Sequence, residues 1–208
     1  MNARIVSLAA LASPFVLALA CVQDVSAGKA TAAVVEPEVA AVARGRDLVV
    51  DKARSEVRAL GAKLTAKHPI VFDTWKGSLR VDGDQLVGVD VVIEMDSLRA
   101  DVDKLTGHLK TEDFFDVATF PKATFASTRV VATPGAAGAT HEVSGALTLH
   151  GVTKHVRFPA TVSWSGEEVL ARAEFVIDRQ DFGVTYPGMP DDLIQDNVVL
   201  TVVLTSRP

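Results

Sequence analysis

Residues 142–164 read EVSGALTLHGVTKHVRFPATVSW, and this stretch decides the fold. Val143, Gly145, Leu147 and Leu149 alternate with Glu142, Ser144, Thr148 and His150. After the joint His150-Gly151-Val152-Thr153, Val156, Phe158, Ala160, Val162 and Trp164 alternate with His155, Arg157, Thr161 and Ser163. Successive side chains leave a strand on opposite faces, so a period of two with one polar face describes half-buried antiparallel strands. The short Gly-bearing joint makes them a hairpin.

Outward from this hairpin the same period recurs. Residues 85–95 place Val87, Val89, Val91, Ile93 and Met95 on one face, and residues 170–178 oppose Ala171, Ala173, Phe175 and Ile177 to Arg172, Glu174 and Asp178. Residues 197–205 are more uniformly apolar, as a central strand would be. Residues 81–84 and 165–167 supply further Gly-bearing turns, and residues 133–140 a longer loop. One segment breaks the pattern: residues 101–117 read as a short helix with Leu105, Leu109, Phe114 and Phe115 as its apolar stripe. Many short strands with one helix predict an all-β antiparallel sandwich or closed barrel, and closure removes exposed edges. About eight strands enclose room for packed side chains or one small ligand, and the pattern does not separate these two. The predicted interior comprises Val91, Ile93, Leu147, Leu149, Phe158, Ala160, Trp164, Phe175 and Ile177 from the strands, with Phe114 and Phe115 from the helix.

The chain has 208 residues, 48% of them hydrophobic, which allows one domain with a sizeable core. A net charge of −5 argues against sequence-independent nucleic-acid binding, which needs a basic surface. The N-terminus reads as an export signal: one positive charge before Ile5, an apolar run to Ala20, and the small residues Ala18 and Ala20 at a cleavage site. Cys21, the only cysteine, follows directly. This resembles a bacterial lipoprotein signal, although Ala18 and Leu19 depart from the usual box and Leu17 sits one place too early. Residues 1–20 are therefore expected to be a signal peptide. Residues 21–45, rich in Ala and Val, are expected to be a flexible tether after a lipidated Cys21, and residues 46–208 the β domain.

No phosphate loop, zinc-protease helix, cysteine metal pattern or nucleophile elbow is present. His150 and His155 flank a turn, but two ligands without a third make a poor metal site, so no metal is expected. Asp178-Arg179-Gln180-Asp181 mixes both signs at a strand end. It reads as an ion pair closing the barrel end, or as a polar mouth that holds a ligand headgroup.

Four motifs then converge on one family. Residues 145–154, GALTLHGVTK, residues 108–116, HLKTEDFFD, residues 120–125, FPKATF, and residues 178–183, DRQDFG, resemble the signatures of the YceI-like family, in order. The Arg-Asp pair that many members carry before His-Leu is replaced here by Leu105, Thr106 and Gly107, so no role of that Arg carries over. The resemblance implies a lipocalin-like closed barrel holding an isoprenoid-type lipid, with no cofactor and no enzyme activity. His108, Arg179 and Asp181 are the polar groups expected at its mouth. The N-terminal signal makes the periplasmic side of the cell envelope the expected location. Anchoring to the outer membrane through Cys21 is the first expectation, a soluble periplasmic or secreted form the alternative, and a homodimer a possible assembly. Two other readings stay open: a filled structural barrel, and an enzyme acting on such a lipid through His108 or the Asp178–Asp181 cluster.

Overall fold

The computed structural model describes residues 24–38, 44–133, 135 and 138–206. The signal peptide over 1–20 and the lipidation site at Cys21 lie outside the described residues. In chain order the strands are β1 (Ala30–Thr31), β2 (Ala33–Val34), β3 (Arg46–Val49), β4 (Glu56–Ala62), β5 (Lys67–Phe72), β6 (Trp75–Asp82), β7 (Gln85–Glu94) and β8 (Leu98–Ala100). The helix α1 (Asp103–Leu109) follows, then β9 (Lys122–Ala132), β10 (His141–Leu149), β11 (Val152–Ser165), β12 (Glu168–Asp178), β13 (Gly188–Met189), β14 (Asp192–Leu193) and β15 (Asn197–Thr205).

Eleven of these strands form one path, β3-β6-β7-β9-β10-β11-β12-β15-β4-β5-β8, and each neighbouring pair is antiparallel. β15 lies between β12 and β4, the central place its apolar sequence predicts. The sheet curls until its first strand approaches an interior one: Val50, just after β3, bridges Ser206, just after β15. The antiparallel barrel with one short helix is what the sequence predicts, but eight strands closed in a ring is not the exact form. The sheet is a strongly curled half-barrel with more and shorter strands. Leu79 of β6 meets Val169 and Leu204 of the adjacent strands β12 and β15 in one buried cluster, which shows the curl bringing distant parts of the sheet together.

Three local expectations change. A register shift between Arg80 and Val81 pairs Val81 with Leu86 and Arg80 with Gly88. Val87 is thereby the extra residue of a bulge, and Leu86 takes the buried position expected of Val87. The helix stops at Leu109, and residues 110–117 continue as hydrogen-bonded turns, with the Val117 amide donating to the Lys110 carbonyl. A flexible tether over 21–45 does not describe residues 24–38. Val25 is buried against Ala62, Val176 and Val199, β1 pairs in parallel with β12, and β2 pairs with β11. Strands of two residues are too short to show alternation, which is why the sequence hides them.

The β10–β11 turn explains the sequence His-Gly of residues 150–151. His150 and Gly151 both have positive φ, 50° and 72°, which matches a two-residue hairpin turn. A Cβ on Gly151 would also sit 2.4 Å from the ring of Phe120. At the β11–β12 turn, Gly166 has φ 61° but open space around it. Gly166→Ala is expected to cost about 1–2 kcal/mol from backbone conformation alone. Gly151→Ala should cost more, because about 1–3 kcal/mol of steric overpacking is added. Urea unfolding of the two variants side by side checks the difference.

Candidate functional site

Inward-facing side chains of a curled sheet do not fill it, and here they leave a cavity of about 190 Å³. Strand parity supplies its wall. Val91 and Ile93 come from β7, Leu147 and Leu149 from β10, Phe158 and Ala160 from β11, and Phe175 and Ile177 from β12. Phe114 and Phe115, after α1, line it with Leu109 at the helix-bearing end. Ten of the eleven residues expected in the interior therefore meet there. Trp164 does not: it is 36% exposed and lies off the cavity. The reason is length. β10 begins at His141, opposite Ala160, so the last residues of β11 run past β10 into a projecting hairpin with β12.

Several lining residues were not singled out from the sequence. Val198, Leu200, Val202 and Leu204 line the cavity from β15, at a period of two that its uniformly apolar run conceals. Phe125, in the FPKATF motif, faces Phe158 with ring centroids 5.4 Å apart, and Phe158 in turn stacks on Phe175 at 4.0 Å and 8°. Val57 and Ala59, from β4, could have been found by alternation.

The polar groups expected at a mouth behave differently. His108 stands outside the cavity wall. Its Nε2 pairs with Asp113 at 2.9 Å, and its ring lies edge-on to Phe114 and Tyr186, at 4.9 and 5.1 Å. It braces Phe114 from behind. Asp181 is exposed and does not reach the cavity, because the 3-10 turn Arg179–Phe182 rotates it outward while burying Arg179 and Phe182. Arg179 does line the cavity and is 5% exposed. Its guanidinium donates to the carbonyls of Val184 at 2.6 Å and Gln195 at 3.2 Å and to Asp196 at 2.9 Å. That is the ion pair closing the barrel end, with Asp196 as the partner in place of a neighbour in the motif.

The shifted carboxyls all sit outside the cavity. Asp73, Glu168, Glu174 and Asp192 are held below their ordinary values by hydrogen bonds from Arg99, Arg54, Lys29 and Lys63, and Asp24 by bonds from Ser26. Burial pushes the His141 imidazole below its ordinary value. A carboxyl poised as a general acid would instead be raised. His150 and His155 are not brought together: the His150 ring meets Phe120 and the Phe182 carbonyl, while His155 pairs with Ala146 across β10. Among the described residues no three His, Cys, Asp or Glu side chains gather as a metal site would need.

A curled antiparallel half-barrel around an apolar cavity defines a hollow, barrel-like β fold. The YceI-like domain profile matches residues 48–206, and the chain belongs to that family. A UPF0312 protein of Pseudomonas fluorescens (strain SBW25) is 34% identical over 140 residues, 62% of this chain and 70% of that protein. A UPF0312 protein of Pseudomonas putida (strain W619) is 41% identical over 87 residues, 39% of this chain and 44% of that protein. Among solved structures, Burkholderia cenocepacia BcnA superposes with a TM-score of 0.66 at 24% identity, covering 76% of this chain and 99% of that one. A polyisoprenoid binding domain from Saccharophagus degradans, implicated in plant cell wall breakdown, gives 0.62 at 21% identity, covering 79% and 100%. At these identities the superpositions show the shared fold.

Arg179 provides a test of the site's construction. Removing it takes the guanidinium's bonds from the buried Val184 carbonyl, the half-buried Gln195 carbonyl and Asp196, and bonds to charged groups contribute about 1.5–3 kcal/mol each. Arg179→Met is expected to lower stability to urea by at least about 2 kcal/mol. Arg179→Lys should fall almost as far, because an ammonium lacks the planar fork that reaches three acceptors at once. Full stability in the Lys variant would contradict the bonding described.

Proposed function

We propose that the protein binds a long apolar lipid of polyisoprenoid type in the barrel cavity, and stores or carries it in the bacterial cell envelope without chemical change. The observation that carries this reading is the cavity: strand after strand turns Val, Leu, Ile or Phe inward and space remains. Hydrocarbon burial contributes about 0.8 kcal/mol per CH₂, so a prenyl chain needs no polar partner to be held. The one buried cation on the wall, Arg179, has its donors engaged by protein acceptors. Family membership and the fold shared with a polyisoprenoid binding domain agree with such a ligand. A filled structural barrel is disfavoured by the same cavity.

Organic extracts of the purified protein, analysed by mass spectrometry, are expected to contain a prenyl lipid. Ala160 is small, buried and on the cavity wall, whereas Thr161 is exposed. Ala160→Trp should therefore cut the recovered lipid severalfold with little loss of stability in the delipidated protein, and Thr161→Trp should do neither. In a solid core the same indole would cost about 1–3 kcal/mol. A large loss of stability in Ala160→Trp with no lipid in any extract would end the carrier reading.

Anchoring belongs to the same proposal. Acylation at Cys21 by more than one chain would hold the protein durably on a membrane. Cys21→Ser is then expected to move the protein from the membrane fraction to the soluble periplasmic or secreted fraction. Identical fractionation of the two forms would exclude a lipid anchor at this residue.

A further inference from the structure

β11 and β12 are hydrogen-bonded to each other only from Thr161 opposite Arg172 to Ser165 opposite Glu168. Continued pairing would set Ala160 against Ala173 and Phe158 against Phe175. Instead the strands part, and the N-terminal segment fills the gap. Ala30 and Thr31 pair with Phe175 and Val176 on one side, and Ala33 and Val34 pair with Arg157 and Val156 on the other. The Ala32 amide donates to the Val176 carbonyl at 2.8 Å, and the Val35 amide to the His155 carbonyl at 2.8 Å. Directly inside lie Phe158 and Phe175, stacked on each other and both on the cavity wall, with Ala32 buried in their cluster. This piece of wall precedes residues 48–206, the part of the chain that the family profile matches.

The segment is lightly held. Thr31, Ala33 and Val34 are exposed, and Ala32 alone of residues 30–34 is buried. The ion pairs that flank it, Lys29 with Glu174 and Glu38 with Arg157, are partly exposed and open to screening by salt. By contrast β12 and β15 share an unbroken ladder of nine pairs. Local opening favours elements with few buried contacts, so residues 30–34 are the part of this wall that can leave while the rest stays folded.

We propose that residues 30–34 are a removable wall strand, and that the slit between β11 and β12 is a side portal through which the hydrocarbon chain of a lipid passes into the cavity. The proposal rests on the apolar-ligand reading above. With the strand displaced, the stacked pair Phe158 and Phe175 lines the slit, and parting of the two rings admits a prenyl or acyl chain. The polar end of the lipid stays in water outside the sheet. Loading then does not require the packed end formed by Leu109, Phe114 and Phe115 to come apart.

A reversible staple tests this. Ala33 and Arg157 are direct cross-strand partners, so Ala33→Cys with Arg157→Cys, in a Cys21→Ser background, can lock the strand to β11. Delipidated protein is mixed with phosphatidylcholine vesicles carrying a polyprenol, and in parallel with the apolar fluorophore N-phenylnaphthylamine. Oxidation is expected to slow loading by about tenfold or more, since the local opening is removed, with unchanged final occupancy and full recovery on reduction. Ala32→Asp, which sets a charge against the two Phe rings, should speed loading. Equal loading rates with the staple closed and open would overturn the portal and leave lipid binding intact. Failure of the unstapled chain to load either probe would overturn both. Hydrogen exchange on the unmodified chain is independent of any variant's folding. The Ala32 and Val35 amides should exchange far faster than those of the β12–β15 ladder, and equal protection would exclude a separate opening of the strand.

Discussion

Nine consecutive residue pairs join β12 to β15, from Leu170 with Thr205 to Asp178 with Asn197, and the rest of the barrel is arranged around that ladder. It fixes parity on both strands at once, so that Ala171, Ala173, Phe175 and Ile177 turn inward beside Val198, Leu200, Val202 and Leu204. β4 extends it on one side and carries β5 and β8, while the start of β12 hands the sheet to β11 on the other. A slip of one residue in this ladder would turn the whole inward set of one of the two strands to solvent. The outer face of the same strands is not wholly polar. Val176 and Val199 would be exposed there but are covered by Val25 from the N-terminal segment.

The sequence read well where one face is polar and one apolar. β10 and β11 were legible almost residue by residue, and so was the wall they build, because most inward residues have at least one polar neighbour. Legibility failed for three physical reasons. A bulge moves parity without marking the sequence, and so Leu86 replaced Val87. A strand that outruns its neighbour keeps its alternation but loses its cover, and so Trp164 emerged into solvent. A uniformly apolar strand gives no parity at all, and so the four inward residues of β15 stayed unread. Asp181 shows a fourth case: charge near a strand end suggested a mouth, but a 3-10 turn decided which charge faces in, and it chose Arg179.

The four family motifs, distant in sequence, meet at the helix-bearing end. Gly151 makes room for Phe120, the His150 ring rests on Phe120 and reaches the Phe182 carbonyl, and His108 braces Phe114 beside Tyr186. Most of these residues do not touch the cavity. Their arrangement supports the residues that do: Phe114 and Phe115 are held over the end of the cavity, and Arg179 ties β12 to the segment before β15. Such residues would be recognised in a sequence before the wall itself, because a tight turn or a buried guanidinium tolerates fewer alternatives than an apolar wall position does.

The position of the N-terminal segment also sets an order of events during synthesis. Lys29 pairs with Glu174, 145 positions further along the chain, and the strands that β1 and β2 join are β12 and β11. The first strands to be made are thus among the last that can be placed. They must remain unpaired until nearly the whole sheet exists, and contacts of such long sequence separation form slowly. Unpaired edges are aggregation-prone during that interval. The small, Ala-rich and partly charged composition of residues 29–38, with Pro37 near its end, suits a strand that has to wait.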